Sequence, residues 1–333
     1  MSVGPAPRVP APSAAGVESA ARSLASLISE SPLVRCEALS RAFSADVWLK
    51  LEVLSAIGSF KLRGAFIALL RELEQVPQLA GVVTSSTGNH GQAVAYVARS
   101  LGRSADIFLP RGANPLKRQA ILAIGANVHD VGQDLDESKE FARAFAREQG
   151  HFFLDDGESL AVIEGAATVA LEVTRRLPEI DWIFTPMGSG SLAGGVGTVL
   201  RQHAPKTRVV AVQAAGSPAM VLSFRAGRPI SSPAQTIADG LICREPASLA
   251  LATVMATVHR ALLVGEDEML QAVKAFAEGA HLLVEPSGAA GLAGALQMRG
   301  ELRGLRIVLL VTGANITAEL LQQALATRSP LTA

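Results

Sequence analysis

Short apolar runs alternate with helical stretches along most of this chain, and that alternation constrains the fold more than any other feature. The strand-sized runs occupy residues 81–84, 105–109, 127–128, 151–154, 182–184, 209–212 and 307–311. Between most of them lie about ten to twenty residues with helical periodicity, and glycines stand where helices are expected to end. The pattern predicts mainly parallel sheets covered by helices on both faces, with ligands at the carboxyl ends of the strands.

Composition and charge favour a small molecule as the partner. The 333 residues suffice for one large or two moderate domains. Hydrophobic residues make up 49% and aromatic residues only 4%, which is typical of α/β proteins with small residues at crowded helix–strand contacts. The 30 basic and 30 acidic side chains balance, so the charge predicts neither nucleic-acid binding nor attraction to an anionic membrane.

The cysteines, histidines and chain start exclude several other classes. Cys36 and Cys243 are far apart and form no CxxC motif, so a disulfide framework is not expected and the reducing cytoplasm is the expected location. The six histidines show no metal-ligand spacing, and no apolar run has membrane-spanning length. The Pro/Ala-rich residues 1–16 lack the apolar segment of a secretory signal and are predicted to be a disordered tail.

A lysine stands at a position where a cation is disfavoured. Lys61 follows a Gly58-Ser59-Phe60 turn and precedes residues 62–70, which are predicted to form a mostly buried helix. The positive end of a helix and an apolar surface both favour the neutral, nucleophilic amine. Taken alone, Lys61 also fits an ordinary surface lysine whose stem lies along apolar neighbours.

A glycine-rich loop predicts a phosphate site. Residues 187–195 follow the apolar run 182–184, and their backbone amides and the helix behind them would cradle a phosphate. The loop also matches the dinucleotide pattern G-x-G-x-x-[GA]. However, the next strand, 209–212, ends in Gln213 instead of the acidic residue that a nicotinamide site requires. A phosphate is therefore predicted, and a dinucleotide is not.

Further polar turns follow other predicted strands. Residues 84–92 combine four hydroxyls, an amide and a glycine at a helix start, which suits a carboxylate, although part of the set could be ordinary capping. The turns at 235–240, 284–290 and 312–315 are each ambiguous alone. Together with a nucleophilic lysine and a phosphate cradle, they describe a Schiff base between Lys61 and pyridoxal phosphate.

Five motifs occur in the order found in fold-type II pyridoxal-phosphate enzymes, and the chain resembles their threonine/serine dehydratase and serine racemase group. The motifs are residues 58–65, 86–92, 188–192, 236–240 and 312–315, within a likeness that runs from about Ser29 to Leu325. The resemblance implies an α/β, tryptophan synthase β-like fold with two mainly parallel sheets, each flanked by helices, and the cofactor in the cleft between domains. It implies a large domain of residues 17–82 and 156–333, a small domain of residues 83–155, and a homodimer.

The resemblance also implies the roles of individual residues. Lys61 corresponds to the Schiff-base lysine, which also moves the α-proton, and Phe60 would pack against the cofactor ring. Asn89 would bond the ring's 3-oxygen. The residues expected to bind the substrate are Ser86, Thr87, Asn89 and His90.

Other motif residues would bind the remaining parts of the cofactor. The expected phosphate ligands are the backbone amides of Gly188, Ser189, Gly190, Ser191 and Leu192. Thr312 would face the pyridine nitrogen, and Gly240 and Glu285 would line the site. The implied reaction is dehydration and deamination of a β-hydroxy amino acid, such as threonine or serine, to a 2-oxo acid and ammonia.

Three departures from the family pattern bear on this reaction. Thr87 replaces a serine that acts as the second base in the racemases, which favours a dehydratase over the alternative, a racemase. Gln213 replaces a cation-binding acidic residue, so no metal is expected. Ile57 stands where the family has a small polar residue or histidine, and it is expected to shape the substrate pocket with residues 241–246.

Two other functions are compatible with the same residues but are less favoured, and the sequence does not identify the side chain of the substrate. A β-replacement synthase fits the 61–65 motif less well, and a non-catalytic cofactor-binding descendant is disfavoured because Lys61, Asn89 and Thr312 are all present. The short stretch after Thr312 leaves no room for a regulatory amino-acid-binding domain, so feedback control is not expected.

Overall fold

The computed structural model describes residues 11–332, except residues 87 and 114. The strands in this part of the chain are β1 (Leu33–Arg35), β2 (Asp46–Leu51), β3 (Gly81–Ser85), β4 (Ser104–Leu109), β5 (Asn127–Asp130), β6 (Phe152–Phe153), β7 (Trp182–Pro186), β8 (Arg208–Ala214), β9 (Arg260–Val264) and β10 (Arg306–Val311). The α-helices are α1 (Ala14–Leu24), α2 (Glu37–Phe43), α3 (Lys61–Gln75), α4 (Asn89–Ser100), α5 (Pro115–Ala123), α6 (Leu135–Gln149), α7 (Leu160–Arg176), α8 (Ser191–His203), α9 (Ala219–Ala226), α10 (Ser248–Thr257), α11 (Glu266–Ala280), α12 (Pro286–Gln297) and α13 (Ala318–Ala326).

The strands form two sheets. The larger has the order β1-β2-β10-β7-β8-β9, with every pair parallel except β1 with β2. The smaller has the order β5-β4-β3-β6 and is parallel throughout. The central strand β10 is apolar from Ile307 to Val311 and buried, as a parallel strand covered on both faces must be. The predicted fold, an α/β protein with two mainly parallel sheets, is confirmed.

Helices cover both faces of each sheet and place the two sheets side by side. Apolar residues of α2, α11 and α12 pack on one face of the large sheet, and those of α7, α8 and α10 pack on the other. Helices α3 and α4 cover one face of the small sheet, and α6 covers the other. Because α3 also packs against α7, the helix that begins with Lys61 lies between the two sheets.

The element boundaries refine two of the predicted ranges. Helix α1 begins at Ala14, inside the predicted tail of residues 1–16, because Ser13 caps it and Val17, Ala20 and Leu24 are buried. Residues 1–10 lie outside the described part of the chain. Strand β3 begins at Gly81, so the predicted boundary between residues 82 and 83 falls within a strand of the small sheet. The division into a large and a small domain stays a prediction.

A search of the helices among the described residues found none with the length and apolar character needed to cross a bilayer.

Candidate active site

One cavity lies where the carboxyl ends of β7 and β10 meet the first turns of α3 and α8. All eleven residues predicted to hold the cofactor line it. The lining residues are Phe60, Lys61, Asn89, Pro186, Gly188, Ser189, Gly190, Ser191, Leu192, Gly240, Leu241, Glu285, Ser287 and Thr312. Residues more than 250 positions apart therefore meet, because parallel strands bring their carboxyl ends to one edge of the sheet.

The glycine-rich loop presents a row of unbonded amides to this cavity. It connects β7 to α8, and no backbone N–H of residues 188–192 donates to another residue in the described chain. Gly190 has a φ of 96°, which L side chains rarely adopt. Free amides at a helix N-terminus suit a phosphate, so the donor chemistry fits the predicted ligand.

Gly188 leaves no room for a side chain. A Cβ built on it would lie 2.6 Å from the backbone oxygen of Gly240 and 3.3 Å from Leu241 Cα, so backbone would have to move. We expect Gly188→Ala to weaken pyridoxal-phosphate binding by about tenfold or more, equivalent to about 1.4 kcal/mol, because the amides lose their common direction. Equilibrium dialysis measures the affinity. In the matched control, Gly300→Ala, a Cβ meets nothing within 4 Å, and affinity should be unchanged.

Lys61 is the first residue of α3, and its amine is engaged by a carboxylate. Its Nζ lies 2.6 Å from Asp156 Oδ2 and 5.1 Å from the centre of the Phe60 ring. The side chain is 13% exposed, so the predicted apolar surroundings are only part of its environment. No sequence motif marks Asp156, which lies 95 positions further along the chain in a loop.

Asn89 is oriented by a chain of side-chain hydrogen bonds. Its Nδ2 donates to Glu285 Oε1 at 2.6 Å, and its Oδ1 accepts from Asn315 Nδ2 at 2.7 Å. Burial raises the pKa of Glu285 above its ordinary value. The hydrogen bond from Asn89 and the charge of Lys117 offset this effect only in part. One N–H of Asn89 thus remains for a ligand, as its predicted role requires.

Thr312 and Phe60 also line the cavity and are joined through their backbones. Thr312 directly follows β10 and is 5% exposed, and its hydroxyl makes no hydrogen bond to another described residue. Its carbonyl accepts from the Phe60 amide at 3.2 Å, which joins β10 to the start of α3. An available hydroxyl here is compatible with the predicted partner of a pyridine nitrogen.

The residues predicted to bind the substrate carboxylate lie in different environments. The Ser86 hydroxyl accepts from the Gly88 amide at 3.3 Å, and Thr87 lies outside the described residues. The His90 ring is buried, with Nε2 3.4 Å from the Leu154 carbonyl and Nδ1 3.7 Å from Asp156 Oδ1. The His90 ring thus faces the interior of the protein, and its role towards a substrate stays a prediction.

Ile57 does not line this cavity, and its predicted influence on the substrate pocket stays a prediction. Its side chain is 7% exposed and belongs to the apolar cluster formed by α3, α4 and the small sheet, away from the cavity lining. It influences the site through its backbone instead, because its carbonyl accepts from Asn315 Nδ2 at 2.9 Å. Of the loop 241–246, Leu241 does line the cavity, whereas Ile242 is 40% exposed.

An ion pair at the rim was also absent from the prediction. Lys117 of α5 bonds Asp239, which starts the 3₁₀ turn Asp239–Leu241. Burial lowers the pKa of Lys117, and the charge of Glu285 partly opposes this. The pair connects a helix of the small sheet to a loop of the large one beside the cavity.

Comparison with known proteins identifies the family. Residues 24–313 match the family described as pyridoxal-phosphate dependent enzyme. The chain belongs to this family. It is 32% identical over 310 residues to an L-threonine ammonia-lyase of Thermotoga maritima, covering 92% of this chain and 76% of that protein. It is 30% identical over 288 residues to the biosynthetic L-threonine dehydratase of Haemophilus influenzae, covering 86% of this chain and 56% of that protein.

A solved structure agrees with this placement. Maize serine racemase superposes with a TM-score of 0.89 at 28% identity, over 95% of this chain and 97% of that one. The predicted family and its cofactor are thereby confirmed. The site of this pyridoxal-phosphate enzyme also fits the cofactor on its own geometry, since free amides, a lysine and an available hydroxyl surround one cavity. The roles predicted for individual residues remain predictions.

Proposed function

We propose that this pyridoxal-phosphate enzyme is an ammonia-lyase that removes water and ammonia from a β-hydroxy amino acid. The carbon at the β-position loses hydroxide, the α-carbon loses a proton, and the resulting enamine tautomerises to an imine. Water then hydrolyses the imine to a 2-oxo acid and ammonia, which balances the reaction. The likeness to L-threonine ammonia-lyase supports this choice.

The observation that carries the proposal is the hydroxyl of Thr312 in the same cavity as the Lys61 amine. When bound, pyridoxal phosphate withdraws electrons from the substrate α-carbon. A hydroxyl at the end of β10 does not keep a pyridine nitrogen protonated as a carboxylate would, so negative charge at the α-carbon is less stabilised. Prompt loss of a β-substituent is then favoured over transamination.

Each remaining group of the site has a role in this scheme. The Lys61 amine moves the α-proton, and the start of α4 offers hydroxyls and amides to the substrate carboxylate. The amides of residues 188–192 hold the phosphate, and Asn89, fixed by Glu285 and Asn315, orients the ring. The buried walls of the cavity exclude water from the reacting atoms.

A substrate panel tests the proposal. We expect one or more of the enantiomers of threonine, serine, phenylserine and hydroxyaspartate to yield equal amounts of 2-oxo acid and ammonia. Formation of neither product from any of them, by an enzyme carrying its full complement of cofactor, would contradict the proposal. The panel also identifies the side chain and the configuration that the site accepts.

A racemase is the second candidate, supported by the likeness to maize serine racemase. Chiral chromatography of the same reactions separates the two functions. Inversion faster than ammonia release would reverse the order of preference. A homodimer, a cytoplasmic location and independence of divalent cations complete the proposal. Analytical ultracentrifugation and assays with a chelator test the first and third.

A further inference from the structure

The loop after β6 places one carboxylate between the catalytic lysine and the glycine-rich loop. Asp156 Oδ2 accepts from Lys61 Nζ at 2.6 Å and from Ser189 Oγ at 2.9 Å. The backbone oxygen of the same residue accepts from Ser191 Oγ at 2.5 Å. A single residue is thus bonded to the lysine, to the loop and to the first turn of α8.

We propose that Asp156 is a positioning residue, which holds the Lys61 amine as its charge partner and sets its distance from the phosphate-binding amides. The inference rests on pyridoxal-phosphate dependence and not on which amino acid is the substrate. The positions of Lys61 and the loop otherwise depend on different elements, α3 and β7 with α8. The Asp156 carboxylate accepts hydrogen bonds from both Lys61 and Ser189, and it thereby fixes the lysine relative to the glycine-rich loop.

The charges around this carboxylate support a fixed negative partner. Burial acts to raise the pKa of Asp156, but the charges of Lys61 and His90 and the bonds from Lys61 and Ser189 outweigh it and hold that pKa far below its ordinary range. Burial lowers the pKa of His90, partly offset by the charge of Asp156. Asp156 is therefore ionised at neutral pH and orients the amine without accepting its proton.

The second oxygen of the carboxylate is still free. Oδ1 is buried and has no hydrogen-bond partner among the described residues, and His90 Nδ1 lies 3.7 Å from it. Buried polar side-chain atoms are normally hydrogen-bonded, and a role in function is one of the recognised reasons for an unpaired one. The preceding residue, Asp155, has different partners, because its carboxylate pairs with Lys139 and Arg143 and not with Lys61.

The test is covalent capture of pyridoxal phosphate by the cofactor-free enzyme. Borohydride traps the adduct, and peptide mass spectrometry quantifies it at Lys61 over a range of pH. In Asp156→Asn the ammonium loses its charge partner, so we expect the capture profile to move to lower pH by about one unit or more. The control Asp155→Asn makes the same chemical change one residue away and should leave the profile unchanged.

A second variant separates positioning from a general structural effect. Ser189→Ala keeps the charge of Asp156 and removes one bond to the loop, so we expect weaker cofactor retention with an unchanged pH profile. An unchanged profile in Asp156→Asn, or equal shifts in both variants, would overturn the proposal. Should Asp156→Asn fail to fold, Asp156→Ser replaces it, since it removes the same charge and should move the profile in the same direction, whereas an unchanged profile in it would equally overturn the proposal. No amino acid is present in these assays, so they are independent of the proposed ammonia-lyase activity.

Discussion

Replacement of Lys61 by alanine is expected to abolish covalent retention of the cofactor and to lower turnover by about 10⁴-fold or more. The substitution removes both the amine that attaches the cofactor and the group that moves the α-proton, and a positioned acid–base group alone contributes about 10² to 10⁴. Asp156 would also lose its partner at 2.6 Å. Borohydride trapping followed by peptide mass spectrometry measures attachment, and ammonia release measures turnover.

Lys206→Ala serves as the control, because this lysine is exposed in the turn between α8 and β8. It should retain full activity and full labelling. Cofactor attached at another lysine in Lys61→Ala, with turnover preserved, would show that Lys61 has been assigned wrongly. If circular dichroism shows that Lys61→Ala does not fold, the near-isosteric Lys61→Met variant takes its place. It should likewise lose covalent labelling and turnover.

Replacement of Arg63 by methionine is expected to lower the free energy of unfolding by about 3–5 kcal/mol. The guanidinium is 3% exposed and bonds Glu52 Oε2 at 2.8 Å and Glu172 Oε1 at 2.6 Å. Glu172 also accepts from the buried Lys50 at 2.5 Å. Methionine fills the space of the stem but leaves Glu52 buried without its cation, and buried unpaired charge is costly. Urea unfolding, followed by fluorescence and circular dichroism, measures the loss.

The same network predicts how the difference depends on pH. Burial acts to raise the pKa of Glu52, but the charge and bonds of Arg63 outweigh it and lower that pKa below its ordinary value of 4.5. A carboxylate whose pKa is lower in the folded than in the unfolded state stabilises the fold at pH values above the unfolded-state pKa. This stabilisation is lost as the pH falls through the folded-state pKa. We therefore expect the wild type and Arg63→Met to differ most near pH 7 and progressively less below about pH 4.5.

Arg176→Met provides the matched control for this comparison. Arg176 pairs with Glu30 at 2.7 Å on the surface, where the two side chains are 61% and 45% exposed. Exposed pairs contribute little to stability, so its loss should be small at every pH. Equal destabilisation by the two variants would show that the buried network contributes no more than a surface pair.

The network also explains why Arg63 follows Lys61 so closely in the chain. Arg63 joins the first turn of α3 to α7 and to the 3₁₀ turn Glu52–Leu54 through bonds to Glu172 and Glu52. The first turn of α3 is the one that carries Lys61. A rigid start of this helix keeps the lysine at the cavity, which links the stability of the buried charges to the geometry of the site.

The sequence by itself determined the features that depend on neighbours along the chain. Apolar runs such as 307–311 predicted buried parallel strands, and the glycines of 188–190 predicted a phosphate cradle after a strand. Lys61 was recognisable because a cation is disfavoured at the N-terminus of an apolar helix. These signals are local, since periodicity, backbone freedom and helix polarity act over a few residues.

The tertiary structure alone decided which side chains meet. Asp155 and Asp156 are chemically identical neighbours, yet one pairs with Lys139 and Arg143 on α6 and the other with Lys61. The side chain of Ile57 packs in the apolar cluster of α3 and α4, while its carbonyl accepts from Asn315 at the far end of the chain. The contacts of Lys61 with Asp156 and of Ile57 with Asn315 join residues 95 and 258 positions apart, and their direction follows from how the helices pack on the sheets.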